Sequence, residues 1–120
     1  MSDGIQARAR HVPITVRKVR RVIDQVRNLH VDEALELLHF LPQSAAHPVA
    51  KLIYSAIAAA ERDHEIPRED LYVARITADE GRGVMPGKGW RRRFGGRGRW
   101  RPIRKRSSHI TVVLKEKIEE

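Results

Sequence analysis

A small α+β domain is what this sequence predicts: three helices packed on a small three-stranded antiparallel sheet, with a long basic β-hairpin extension. Three observations carry that expectation. Apolar residues recur at period two in the first ten residues, at period 3.6 in three stretches that follow, and as two later β-forming runs, at 71–78 and 110–114. Between those two runs lies a segment of arginine and glycine without a single acidic residue. At 120 residues the chain is the size of one domain with one modest core.

The first strand rests on Ile5, Ala7 and Ala9 alternating with Gln6, Arg8 and Arg10, which leaves it one basic face; Pro13 ends it. Thr15 then stands where an N-cap is needed, ahead of Val16, Val19, Val22, Ile23 and Val26, whose spacing makes the buried stripe of a helix. Arg17, Lys18, Arg20, Arg21 and Arg27 cover the other side, and Asn28 suits the left-handed position past a helix end. In a second, shorter helix Asp32 and Glu33 complement the positive end of the dipole, while Ala34, Leu35, Leu38 and Leu41 form the buried stripe up to Pro42. The third helix begins at Ser44 with Pro48 in its first turn, and Ala45, Val49, Leu52, Ile53, Ala56, Ile57 and Ala60 give it a continuous apolar face to about His64. Leu71 to Ala78 and Ile110 to Leu114 supply the remaining strands.

Composition excludes several function classes. Aromatics are only 5% of the chain, so the core is aliphatic and nothing resembles a deep aromatic ligand pocket for a small-molecule substrate. With no cysteine there is neither a disulfide framework nor a thiolate metal site, in keeping with a reducing compartment. No apolar run approaches the roughly 20 residues that cross a bilayer, and MSDGIQARARH lacks the apolar stretch of a signal peptide. A cytoplasmic location, or an organelle matrix, is therefore expected, without membrane contact.

Charge is distributed unevenly. The whole chain carries +9, yet residues 82–106 alone hold eleven cations and no anion, whereas residues 28–81 hold ten acidic residues against four basic ones. Like charges this dense repel one another, so the segment's ordered state calls for an external polyanion. The segment is internal and flanked by strands, which favours a hairpin arm (82–106) on a body (5–81 and 107–116) over a loose tail. If each side of the hairpin spans about 12 residues, the arm reaches about 40 Å.

The arm reads GRGVMPGKGWRRRFGGRGRWRPIRKR from Gly81 to Arg106. Arginine forks onto phosphates supply affinity, and Trp90, Phe94 and Trp100 among them can stack on unpaired bases. GVMPGKG fails as a phosphate-binding P-loop because Arg82 stands where glycine is required and Gly89 where a hydroxyl is required. His11, His30, His39, His47, His64 and His109 form no zinc-type pair, and no serine, histidine and aspartate spacing supports catalysis. No enzymatic activity, metal or cofactor is expected; Asp79 and Glu80 are expected to neutralise arginines at the base of the hairpin.

RKRSSHITVV, from Arg104 to Val113, is similar to the closing signature of the L-twenty-two family of bacterial-type large-subunit ribosomal proteins. TVRKVRRV (15–22), VDEALELL (31–38), KLIYSAIAAAE (51–61) and DLYVARITADEG (70–81) support the resemblance in the family's order, from about Ala7 to Leu114. The resemblance implies a body on the outer surface of the large subunit with a hairpin threading inward among rRNA domains, aiding assembly and lining the nascent-peptide tunnel. Its implied partners are large-subunit rRNA, neighbouring large-subunit proteins and the nascent polypeptide. Carried over from matching positions, Arg17, Lys18 and Arg20 face rRNA from the first helix, and Arg97, Gly98, Arg99, Lys105, Arg106, Ser108 and His109 from the returning arm. Arg8, Arg10, Arg82, Arg101 and Arg104 complete the expected rRNA-binding set. Lys88, Gly89, Trp90, Arg91, Arg92 and Arg93 are expected at the hairpin tip, although RGVMPGKGWRRRFGG is longer and richer in glycine than the family's usual stretch. The alternative is a stand-alone RNA chaperone with a disordered Arg/Gly-rich arm.

Overall fold

The last strand in the sequence is the middle strand of the sheet. The computed structural model describes residues 4–81 and 107–117 in full and the backbone of residues 90–94 and 100–104. In chain order the elements are β1 (Ile5–Val12), α1 (Val16–Val26), α2 (Val31–Phe40), α3 (Ala46–His64), a 3-10 turn (Arg68–Asp70), β2 (Leu71–Glu80), β3 (Trp90–Phe94), β4 (Trp100–Arg104) and β5 (Ser108–Glu116). The main sheet has the order β1-β5-β2, antiparallel throughout, and β3 and β4 form a separate antiparallel pair. Three helices and a three-stranded antiparallel sheet make the fold α+β.

Alternation decides which side of the sheet is buried. On β5, Ser108, Ile110, Val112 and Leu114 are buried and the residues between them only partly so. Pairing extends this into three inward rows: Ile5, Leu114 and Val73; Ala7, Val112 and Ile76; Ala9, Ile110 and Ala78. The helices supply the opposing surface, with Val19, Val22, Ile23 and Val26 from α1, Leu35 and Leu38 from α2, and Val49, Ile53, Ala56 and Ala60 from α3. Leu41, expected in the α2 stripe, follows the helix as its C-cap and is only partly buried.

Two bulges adjust the alternation. Between Ala9 and Val12 of β1, Arg10 and His11 together occupy the space opposite His109, and His11 takes the positive φ of 58° that the extra residue requires. In β2, Ala74 is the extra residue between Val73, opposite Leu114, and Arg75, opposite Val113. Buried positions on β2 therefore run Leu71, Val73, Ile76, Ala78 rather than at every second residue.

β2 is an edge strand, and its outer edge is covered rather than exposed. The Asn28 amide donates to the Val73 carbonyl and the Val73 amide to the Leu29 carbonyl, both at 2.8 Å. Farther along, the guanidinium groups of Arg27 and Arg20 donate to the carbonyls of Ile76 at 2.9 Å and Ala78 at 3.0 Å. One helix thus contributes a valine stripe to the core and two arginines to the backbone of the strand beside it.

Helix ends follow the expected chemistry in part. Asn28 adopts the left-handed conformation, with φ 69°, just past α1. Thr15 is the N-cap residue of α1, but its side chain makes no capping bond. Instead the capping side chain belongs to α2, where His30 Nδ1 accepts from the Asp32 amide at 3.1 Å while Nε2 lies 2.6 Å from the Glu69 carbonyl. Both contacts are satisfied only when the proton sits on Nε2. A His30→Ala variant should lose about 1 kcal/mol of stability, read as a lowered urea midpoint with an unchanged slope.

Candidate nucleic-acid interface

With all three helices on one face of the sheet, the other face is open. Its rows read Gln6, Val113, Arg75 and then Arg8, Thr111, Thr77 across β1, β5 and β2. Arg8, Arg10 and Arg75 are exposed, whereas Thr77, Thr111 and Val113 are partly covered by their neighbours. Arg75 was not among the expected contact residues. Simple alternation from Leu71 and Val73 would point it inward, and only the bulge at Ala74 turns it to the open face, in the row of Val113 and Gln6.

The second basic surface is α1. Arg17, Lys18, Arg20 and Arg21 are exposed because the valine stripe directs the opposite side of the helix into the core. A cleft of about 820 Å³ runs between this side and the start of the arm, lined among others by Arg17, Arg20, Arg21, Asp24, Glu80 and Ser107. Asp24 is engaged by Arg27 at 2.8 Å. Glu80, expected to offset charge at the base of the hairpin, lines the cleft with the three arginines. Arg20 has a double role, since it faces the cleft while donating to the Ala78 carbonyl.

At the root of the arm the contacts are short and specific. The Gly81 amide donates to the Ser107 carbonyl at 3.0 Å, the Ser108 hydroxyl to the Ile14 carbonyl at 2.9 Å, and the His11 amide to His109 Nδ1 at 3.1 Å. The His11 and His109 rings meet edge to face with centroids 4.8 Å apart. Ser107 and Ser108 are the two fully buried polar residues among those described. A methyl group on Gly81 would lie 2.8 Å from Ser107 Oγ and 2.9 Å from His109 Nε2, closer than van der Waals contact allows. Ser108 and His109 are thus engaged within the protein, joining the start of β5 to the bulge of β1 and the turn into α1. They hold the basic helix and the root of the arm in one fixed relation.

The β3–β4 pairing bears on the expected tip. Trp90 pairs with Arg104, Arg92 with Pro102 and Phe94 with Trp100. Trp90, Arg91, Arg92 and Arg93 lie on β3. Arg101 and Arg104 lie on β4. Arg82, Lys88, Gly89, Arg97, Gly98, Arg99, Lys105 and Arg106, and with them the expected reach of the arm, fall outside the described residues.

Titration adds little to the site. The carboxyl of Asp63 is held below its ordinary pKa, first by the hydrogen bond from Arg62, but both are exposed at the end of α3, far in sequence from the basic surfaces. No helix among the described residues is long and apolar enough to cross a membrane.

Comparison with known proteins gives these surfaces a context. The sequence profile of the family described as Ribosomal protein L22p/L17e matches residues 7–115. The large ribosomal subunit protein uL22 of Thermoanaerobacter sp. (strain X514) is 48% identical over 115 residues, covering 93% of this chain and 96% of that protein. The proteins of the same name from Clostridioides difficile (strain 630) and Desulfitobacterium hafniense (strain Y51) are 45% and 44% identical over 114 residues, covering 93% and 95% of this chain and 96% of each relative.

Proposed function

Because this chain belongs to the Ribosomal protein L22p/L17e family, and so to the proteins of the large ribosomal subunit, we propose that it binds large-subunit rRNA through two basic surfaces and the arm between them. The observation that carries this reading is the placement of Arg8, Arg10 and Arg75 on an uncovered sheet face and of Arg17, Lys18, Arg20 and Arg21 on the exposed side of α1, next to the root of an eleven-cation segment. Guanidinium groups fork onto phosphates, and a chain that neutralises phosphate repulsion lets RNA segments approach one another, which is the work of an assembly protein. No reaction is involved. The arm, entering among rRNA segments, would bring its tip region, Lys88 to Arg93, to the nascent-peptide tunnel, where the growing polypeptide is its third partner.

Two measurements test the reading. If about six arm cations meet phosphates, log K for rRNA against log salt should fall with a slope near −4 to −5. A flat salt response would sink electrostatic binding. On sucrose gradients at moderate salt the protein should travel with large subunits, whereas a stand-alone RNA chaperone would stay at the top. Replacing Arg75 with Ala should leave thermal stability unchanged and reduce the salt slope by roughly 0.7 to 0.9, the share of one phosphate contact. No change in slope would remove the open sheet face from the interface.

A further inference from the structure

The imidazole of His109 lies where the main sheet gives way to the arm. His109 is on the central strand, opposite Asp79 of β2 and next to the β1 bulge that holds Arg10 and His11. On the β1 side its Nδ1 accepts from the His11 amide at 3.1 Å, and the His11 ring meets it edge to face. On the β2 side the ring turns its far edge to Gly81, where an added Cβ would come within 2.9 Å of Nε2 and 3.0 Å of Cε1. One ring thus fills the space between the two outer strands, and glycine at 81 leaves it the room.

The same place is the exit of the arm. Arg82 follows Gly81 directly, Arg106 directly precedes Ser107, and the Gly81 amide bonds the Ser107 carbonyl at 3.0 Å. Ser108, beside His109, donates to Ile14 in the turn into α1. The residues that release the arm are therefore tied to the basic helix and to the strand that carries Arg8 and Arg10. An RNA gripped by both arm and body occupies two linked sites, and the gain from linkage depends on how firmly one is held relative to the other. A loose root leaves every phosphate contact available but raises the ordering cost of making them together. The ring is poorly placed to touch RNA itself, since Nδ1 is committed to His11 and the Nε2 edge is covered by Gly81.

We propose that His109 is a positioning residue: wedged between the β1 bulge and Gly81, it fixes the direction in which the arm leaves the sheet, so that arm and body bind one RNA as a single unit. The inference rests on the rRNA-binding reading. It assigns His109 to the protein's own geometry and not to the RNA contact surface.

Two substitutions at one position separate these roles. Asparagine carries its carbonyl oxygen at the bond separation of Nδ1, and glutamine carries its terminal polar atoms at that of Nε2. The full-length protein, His109→Asn, His109→Gln and Gly81→Ala are titrated with a transcript of large-subunit rRNA over a salt series, with thermal melts alongside. His109→Gln should bind about tenfold more weakly at every salt concentration with an unchanged slope, and His109→Asn should restore most of the loss. Gly81→Ala, which keeps the imidazole but displaces it, should match His109→Gln. Binding retained by glutamine and lost by asparagine would make the outer nitrogen an RNA contact, and a slope reduced by roughly 0.7 to 0.9 would make the ring a phosphate contact; either overturns the proposal. So would wild-type affinity in His109→Gln or Gly81→Ala, or loss of the folded state in both, which would make the ring a stability element. In each of these cases salt-dependent binding by the unaltered protein leaves the RNA reading standing. Only a flat response of the unaltered protein removes both.

Discussion

Deleting residues 84–100 is expected to remove most of the RNA affinity of the protein while leaving its body folded. The deletion takes out Lys88, Arg91, Arg92, Arg93, Arg97 and Arg99, six of the eleven cations of the arm. If each meets a phosphate, the salt slope flattens by roughly 4 to 5 units and affinity at low salt falls on the order of a thousandfold. Stability should hardly change, because the described core draws on residues 5–78 and 110–114, and shortening a connection between paired strands alters loop entropy only modestly. Circular dichroism and a thermal melt read the fold, and a filter-binding salt series reads the affinity. Loss of helicity would place the boundary between body and arm elsewhere, and an unchanged slope would assign the phosphate contacts to the body.

Truncating Ile110 to Ala should have the largest effect on stability of any single core change considered. Ile110 is fully buried on the central strand, and its row neighbours on both sides, Ala9 and Ala78, are already alanine. Neither flank has side-chain volume to move into the space, so the cavity persists and the cost lies in the upper part of the 2–5 kcal/mol range, about 4 kcal/mol. For a body of this size that corresponds to a fall in Tm of roughly 15 °C or more. Val112→Ala, with Ile76 beside it in its row, should cost clearly less. Equal losses at the two positions would mean that the helices, rather than the strand neighbours, set how far the cavity relaxes.

Much of the architecture is visible as periodicity. The valines of α1, the leucines of α2 and the long apolar face of α3 recur at helical spacing, and all three helices form where that spacing is found. The concentration of charge between residues 82 and 106 is equally plain in the linear chain. What the linear chain does not show falls where one segment's behaviour depends on another. Arg75 is exposed on the open face because a single extra residue, Ala74, reverses which face it occupies. Ser108 and His109, expected to face rRNA, are bonded to Ile14 and His11, 94 and 98 residues away in the chain. Of the expected tip, Trp90 to Arg93 lie on β3, and Lys88 and Gly89 fall outside the described residues.

Local order in this protein belongs to the sequence itself: apolar spacing selects helix or strand within each segment, and the clustering of arginine concentrates positive charge in residues 82–106. Tertiary structure alone decided the register of β5 between β1 and β2, the two bulges, the use of Arg20 and Arg27 to cover the edge of β2, and the contacts that hold the arm root against α1. The reason is physical. Hydrophobic periodicity is a property of neighbouring residues, whereas register and hydrogen-bond partnership arise only when distant segments pack together and each buried polar group has to find a partner.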